Sequence, residues 1–117
     1  MTDLVLLHGD LHHENILAAQ RQPWLAIDPK GIIGEAAYET GSWLRNPYPG
    51  LMKLPQPGRT LARRIDQFAE KLGFERARIR DWAVAQAVLS VWWGIEDFGY
   101  VEDEALAIAE LLASIKR

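Results

Sequence analysis

No cysteine occurs among the 117 residues. Disulfide frameworks, thiol nucleophiles and cysteine-rich zinc sites are therefore excluded, and a reducing compartment is permitted. An excess of positive charge is also missing: 13 Lys and Arg stand against 16 Asp and Glu, a net charge of −3. A general nucleic-acid binder is normally strongly basic, so no nucleic-acid partner is expected. No apolar run is long enough to span a bilayer, because residues 83–95, the longest, contain Gln86 and Ser90. The first residues carry Asp3 and then Leu4-Val5-Leu6-Leu7, without the basic region and long apolar core of a signal peptide. A cytoplasmic location with no membrane partner is the expectation. Internal repeats and a Pro/Gly/Ser linker are lacking too. What is present, 49% hydrophobic and 25% charged residues, is the composition of one ordinary globular domain.

The chain changes character near residue 33. Before it, short apolar runs (4–7, 15–18 and 24–27) are broken by turn formers, including Gln22-Pro23, which predicts strand, loop and hairpin. A short helix is expected around 38–45, stopped by Asn46-Pro47-Tyr48-Pro49-Gly50, since proline cannot continue a helix and biases its predecessor away from helical angles. Residues 51–58 read as a connecting loop. From Arg59 the period becomes helical, with Leu61, Ile65, Phe68, Ala69 and Leu72 on one stripe and Gly73 at the C-cap. A second helix, from residue 75 or 78 to 98, is apolar nearly all round, so Trp82, Trp92 and Trp93 are expected in the core or against a neighbouring lobe. A third spans 103–115, acidic at its start and basic at its end, as the helix dipole favours. A single domain follows: residues 1–33 supply loops and short strands, and residues 34–117 a helical subdomain.

The densest chemistry is His8-Gly9-Asp10-Leu11-His12-His13-Glu14-Asn15, directly after the first apolar run. Phosphoryl transfer from ATP needs a carboxylate to accept the proton of the attacking hydroxyl, and oxygen ligands to hold magnesium against the phosphates. Asp10 and Asn15, five residues apart, suit the first task and one ligand position. Asp28 suits the second ligand position, because it ends the run 24–27 at a turn that a hairpin would return beside the loop. Two protein oxygens are enough, since magnesium keeps several waters.

The pattern His-x-Asp-x-x-x-x-Asn, followed thirteen residues later by an apolar strand and Asp, resembles the catalytic and metal-binding loops of the protein-kinase-like fold. The wording His8-Gly9-Asp10-Leu11-His12 with Ile27-Asp28-Pro29-Lys30-Gly31 is similar to the aminoglycoside phosphotransferases, in particular the streptomycin 6-kinase and hydroxyurea/aminoglycoside resistance kinase branch. Tyr38-Glu39, Leu44-Arg45-Asn46-Pro47, the stretch 78–83 and the stretch 86–93 carry the same resemblance. It implies an α+β, mostly helical fold: the C-terminal lobe of the kinase-like fold without its nucleotide-binding N-lobe. It further implies Asp10 as catalytic base, His8 as an orienting residue, His12 toward the γ-phosphate of ATP, and Asn15 and Asp28 as Mg2+ ligands. Glu14 departs from the family, which usually has glycine there.

The nucleotide-binding lobe of such enzymes precedes this loop, and here the loop begins at residue 8. The chain therefore reads as a C-terminal fragment with little or no kinase activity alone. The implied substrate is an aminoglycoside, a polycation that calls for carboxylates. Glu96 and Asp97 are the candidate substrate-binding acids, whereas Glu102, Asp103 and Glu104 also suit ordinary first-turn helix stabilisers. Three other readings stand beside the kinase: a polar turn between strands, a metal-dependent hydrolase using His8, Asp10, His12, His13 and Asp28, and a non-catalytic helical interaction module. Loss of the covering lobe would uncover 4–7 and part of the Trp-rich helix, so self-association is expected.

Overall fold

A computed structural model describes residues 3–27 and 29–117, with the backbone alone at residue 13. The strands are β1 (Leu4–Leu7), β2 (Ile16–Ala18), β3 (Trp24–Ala26) and β4 (Ile32–Glu35), and the helices are α1 (Pro57–Leu72), α2 (Arg76–Phe98) and α3 (Asp103–Ser114). The fold is α+β, with small sheets and a majority of helix.

The strands form two antiparallel pairs rather than one sheet. β2 pairs with β3, Ile16 opposite Ala26 and Ala18 opposite Trp24, which is the expected hairpin. β1 pairs with β4, Leu4 opposite Glu35 and Leu7 opposite Ile32. β4 is not marked in the sequence: Ile32-Ile33 follows a glycine turn and is too short to show a period, so only its pairing with β1 defines it. The long hairpin β1–β4 encloses the short hairpin β2–β3, and the segments 8–15 and 27–31 connect the two.

The expected helix at 38–45 is instead a 3-10 turn, Ala36–Thr40, continued by i to i+3 backbone bonds, Leu44 N–H to Gly41 O and Arg45 N–H to Ser42 O. α1 starts two residues before Arg59 because Pro57 occupies its first turn, where its missing N–H costs nothing and its fixed φ is already helical. Gly73 and Gly99 close α1 and α2 in left-handed conformation, at φ 74° and 78°, which glycine adopts without the Cβ penalty.

The core lies among the three helices and the 36–51 segment. Leu44, Leu51, Leu61, Ile65, Ile79 and Leu112 are completely buried in it, each contributing about 1.5–3 kcal/mol of transfer free energy. α2 gives this core Ile79, Ala83 and Ala87. Its opposite face is open: Val88, Leu89, Trp92 and Trp93 are exposed, Trp92 to 53%. This corrects the expectation of a core position for Trp92 and Trp93. A helix that is apolar on every side does not reveal which stripe will be covered. Trp82 is part-buried, packed edge-on against Tyr38, and its indole N–H donates to Glu35 at 2.8 Å. No helix among the described residues is long and apolar enough to cross a membrane.

Candidate active site

Leu7 is the buried end of β1, and the chain leaves it through Gly9 at φ 91°. A side chain there would be strained and would meet Lys30 and Ile32 at 3.2–3.3 Å, so glycine lets residues 8–10 turn tightly against the 30–32 turn. The turn is fastened by Glu39. Its two carboxylate oxygens accept the backbone N–H groups of His8 (2.7 Å) and Gly9 (2.9 Å), a charge-assisted pair stronger than neutral hydrogen bonds.

His8 stitches the loop from inside. Its Nδ1 accepts the Asp10 N–H at 3.1 Å, so Nε2 carries the proton and donates to Ile27 O at 2.6 Å. Its carbonyl accepts from Lys30 N–H (2.6 Å) and Gly31 N–H (3.2 Å). Asn15 stitches the other end: its amide Nδ2 donates to Asp10 O at 2.9 Å, and its carbonyl accepts the Ile27 N–H at 2.7 Å. Among the described residues nothing donates to Asn15 Oδ1. His12 Nδ1 accepts the Glu14 N–H, and its Nε2 lies 3.7 Å from Asp10 Oδ1. Asp28 lies outside the described residues. The chain on either side of it is tied to this loop, Ile27 to Asn15 and Lys30 to His8.

Beside the loop opens a cleft of about 240 Å³. It is lined by Asp10, His12 and Glu14 of the loop, by Arg45, Asn46 and Tyr48, and by residues of α2 and α3 that include Ser90 and Ile108. The 46–52 loop is strapped to the start of α3. Glu104 accepts the Gly50 N–H at 2.8 Å, and the Tyr48 hydroxyl donates to Glu102. Donation to that carboxylate pushes the Tyr48 phenol up to about 12. Burial pulls the Arg45 guanidinium down, and the charge of Asp10 works against that shift.

Asp10, His12 and Asn15 are thus brought together with His8. Glu96 and Asp97 are exposed near the end of α2 and are not among the described residues lining the cleft. Both ring nitrogens of His8 are occupied within the protein, and among the described residues no three His, Asp or Glu side chains converge on a metal-sized point. With the His8 ring committed to these bonds, and the His13 side chain and Asp28 outside the described residues, the hydrolase alternative is not favoured.

A family model described as aminoglycoside/hydroxyurea antibiotic resistance kinase matches residues 2–98. The chain belongs to this family of resistance kinases. It is 36% identical over 109 residues to streptomycin 6-kinase of Streptomyces griseus, covering 92% of this chain and 36% of that protein. Streptomycin 3''-kinase of Klebsiella pneumoniae is 40% identical over 98 residues, covering 78% and 35%. Hydroxyurea phosphotransferase of Kitasatospora aureofaciens is 37% identical over 109 residues, covering 92% and 29%. The chain spans about a third of the length of these relatives. No solved structure matches it significantly.

The resistance-kinase loop uses residues to which sequence reasoning assigned no role: Glu39, Ser42, Arg45, Tyr48 and Gln86. Glu39, Arg45 and Gln86 lie inside stretches that carry the family resemblance, but each makes a contact with a partner 30 or more residues away in sequence. Spacing along the chain cannot disclose such pairs.

Proposed function

We propose that this chain supplies the acceptor side and the catalytic loop of an ATP-dependent phosphotransferase acting on a hydroxyl of an aminoglycoside such as streptomycin. Asp10 accepts the proton of the acceptor hydroxyl as its oxygen forms a bond to the γ-phosphorus, and the bond from that phosphorus to the β–γ bridging oxygen breaks to release ADP. His8 orients the loop, and His12 takes the position toward the γ-phosphate. Asn15 and Asp28 would hold Mg2+, which when bound with ATP neutralises charge on the transferring phosphates. Asn15 Oδ1, which no described residue hydrogen-bonds, is a hard oxygen donor of the kind magnesium prefers.

The observation that carries this reading is the closure of the 8–15 loop on the 27–31 turn, through Asn15 O to Ile27 N–H and His8 O to Lys30 N–H. It draws together the two segments that a phosphotransferase needs around one cation. Glu14 and Asp10 give the cleft the acidic wall a polycation requires. Glu96 and Asp97 would extend an outer acidic rim, since Asp97 continues the helical face of Ser90 about two turns further along α2.

The test is a chimera in which this chain replaces the matching segment of the Streptomyces griseus streptomycin 6-kinase, assayed with ATP and streptomycin. Turnover is expected, falling about 10²–10⁴-fold on Asp10→Ala. Turnover undiminished in that variant would refute the assignment. The 117-residue chain alone is expected to show little or no turnover, because positioning supplies most of the catalysis and the chain spans only about a third of the length of its relatives. It is also expected to self-associate, and a monomeric mass by light scattering at micromolar concentration would contradict this.

A further inference from the structure

One cation in the cleft has no part in the scheme above. Arg45 is flanked by buried polar groups: Ser42, at 2% exposure, and Gln86, at 4%. Its Nη2 donates to Ser42 Oγ at 3.1 Å and to Gln86 Oε1 at 3.3 Å, while its Nε is buried without a hydrogen-bond partner among the described residues. No carboxylate among the described residues forms an ion pair with it. Burial disfavours the guanidinium charge, and the charge of Asp10 offsets part of that cost without a direct ion pair, so Arg45 and Asp10 are electrostatically linked.

The network has a direction. Gln86 Nε2 is pinned to Tyr38 O at 2.8 Å, and its Oε1 holds Arg45. Because Arg45 donates to Ser42 Oγ, the hydroxyl proton is left to point the other way, where it donates to Asp10 Oδ1 at 3.4 Å. His12 Nε2 stands 3.7 Å from the same oxygen. Among the described residues no hydrogen bond reaches Asp10 Oδ2. Among the described residues, Oδ1 is therefore the Asp10 oxygen that side chains address.

We propose that Ser42 and Arg45 are positioning residues for Asp10: Arg45 orients the Ser42 hydroxyl, which fixes the carboxylate so that Oδ2 faces the acceptor hydroxyl. This rests on the reading of Asp10 as the base. A misplacement of about 1 Å at such a group can cost about 10²-fold in rate. At 3.4 Å this hydrogen bond is at the long end of the range, and catalytic contacts of this kind often tighten in the reacting complex.

The experiment measures the Asp10 χ1 angle from three-bond couplings in the labelled 117-residue chain. A single rotamer is expected in the native sequence, rotamer averaging in Ser42→Ala and Arg45→Met, and a single rotamer again in Ser42→Thr, which keeps the hydroxyl. An averaged Asp10 in the native chain would overturn the proposal, as would an unchanged rotamer in folded Ser42→Ala. Should either truncation fail to fold, the native chain and Ser42→Thr still decide. In the chimera, Ser42→Ala is expected to lower kcat about tenfold or more with KM for ATP unchanged. A fall in KM-dependent terms alone would contradict it. Failure of the base assignment itself reads out separately, as activity retained on Asp10→Ala with the rotamer result intact.

Discussion

The helical half and the strand half of this chain are built to different standards of completeness. Between α1, α2 and α3 the core is closed, with six large side chains at zero exposure. On the β1–β4 pair, Leu4, Leu6 and Ile33 are 71–76% exposed, so this pair is fastened to the rest chiefly through Leu7, the residues near Glu39, and Glu35 at the end of β4. The strand half nonetheless carries the densest chemistry, held less by apolar burial than by hydrogen bonds that Glu39 accepts and that His8 and Asn15 donate. A loop held in this way is oriented sharply but contributes little to global stability, and its apolar outer face asks for cover. The relatives, about three times as long, have ample chain to supply that cover.

The comparison breaks most visibly under core truncation. Leu61→Ala is expected to cost about 2–5 kcal/mol, read as a shift in the denaturant midpoint, while Leu6→Ser should leave the midpoint nearly unchanged and reduce self-association. Equal losses for the two variants would mean that the halves are not energetically distinct. Next in size is Glu39→Ala. It removes the acceptor for two loop N–H groups and should cost about 1–3 kcal/mol, together with disproportionate loss of amide-exchange protection at residues 8–15.

Gly41→Ala sharpens the boundary between the halves. A Cβ there would stand 2.1 Å from Gln86 Nε2, so Gln86 must leave Tyr38 O and Arg45. A loss of about 1–3 kcal/mol is expected, with chemical-shift changes reaching Ser42 and Asp10; a silent substitution would show that the network is not tight. The smallest effect concerns Glu35, which joins β4 to α2. Hydrogen bonds from Arg78 and then Trp82 hold its carboxyl below the usual 4.5. A group lowered in the folded state adds stability above its unfolded pKa and loses it as pH falls through the folded one. Stability should therefore decline more steeply below about pH 4.5 in the native chain than in Glu35→Gln. Parallel pH profiles would contradict this.

The sequence made the helices legible because stripes such as Leu61–Ile65 and the glycine stops at 73 and 99 are local signals. The chemistry-bearing loop was legible for a similar reason, since Asp10 and Asn15 sit within one turn of chain. β4 was not, because two isoleucines after a glycine acquire strand character only by pairing with β1. The exposed side of α2 was hidden by its uniform apolarity. Glu39 and Arg45 were visible as part of a resemblance, but their work depends on contacts over 30 to 41 residues of sequence that topology alone creates.

The central claim is that Asn15 and Asp28 share one cation beside Asp10. It is tested most directly by substituting Mn2+ for Mg2+ in the labelled chimera with a nonhydrolysable ATP analogue and mapping paramagnetic broadening. The steepest broadening is expected at Asn15 and Asp28, with Asp10 next. Broadening centred elsewhere, for example at 96–104, with residues 10–28 unaffected, would contradict the account.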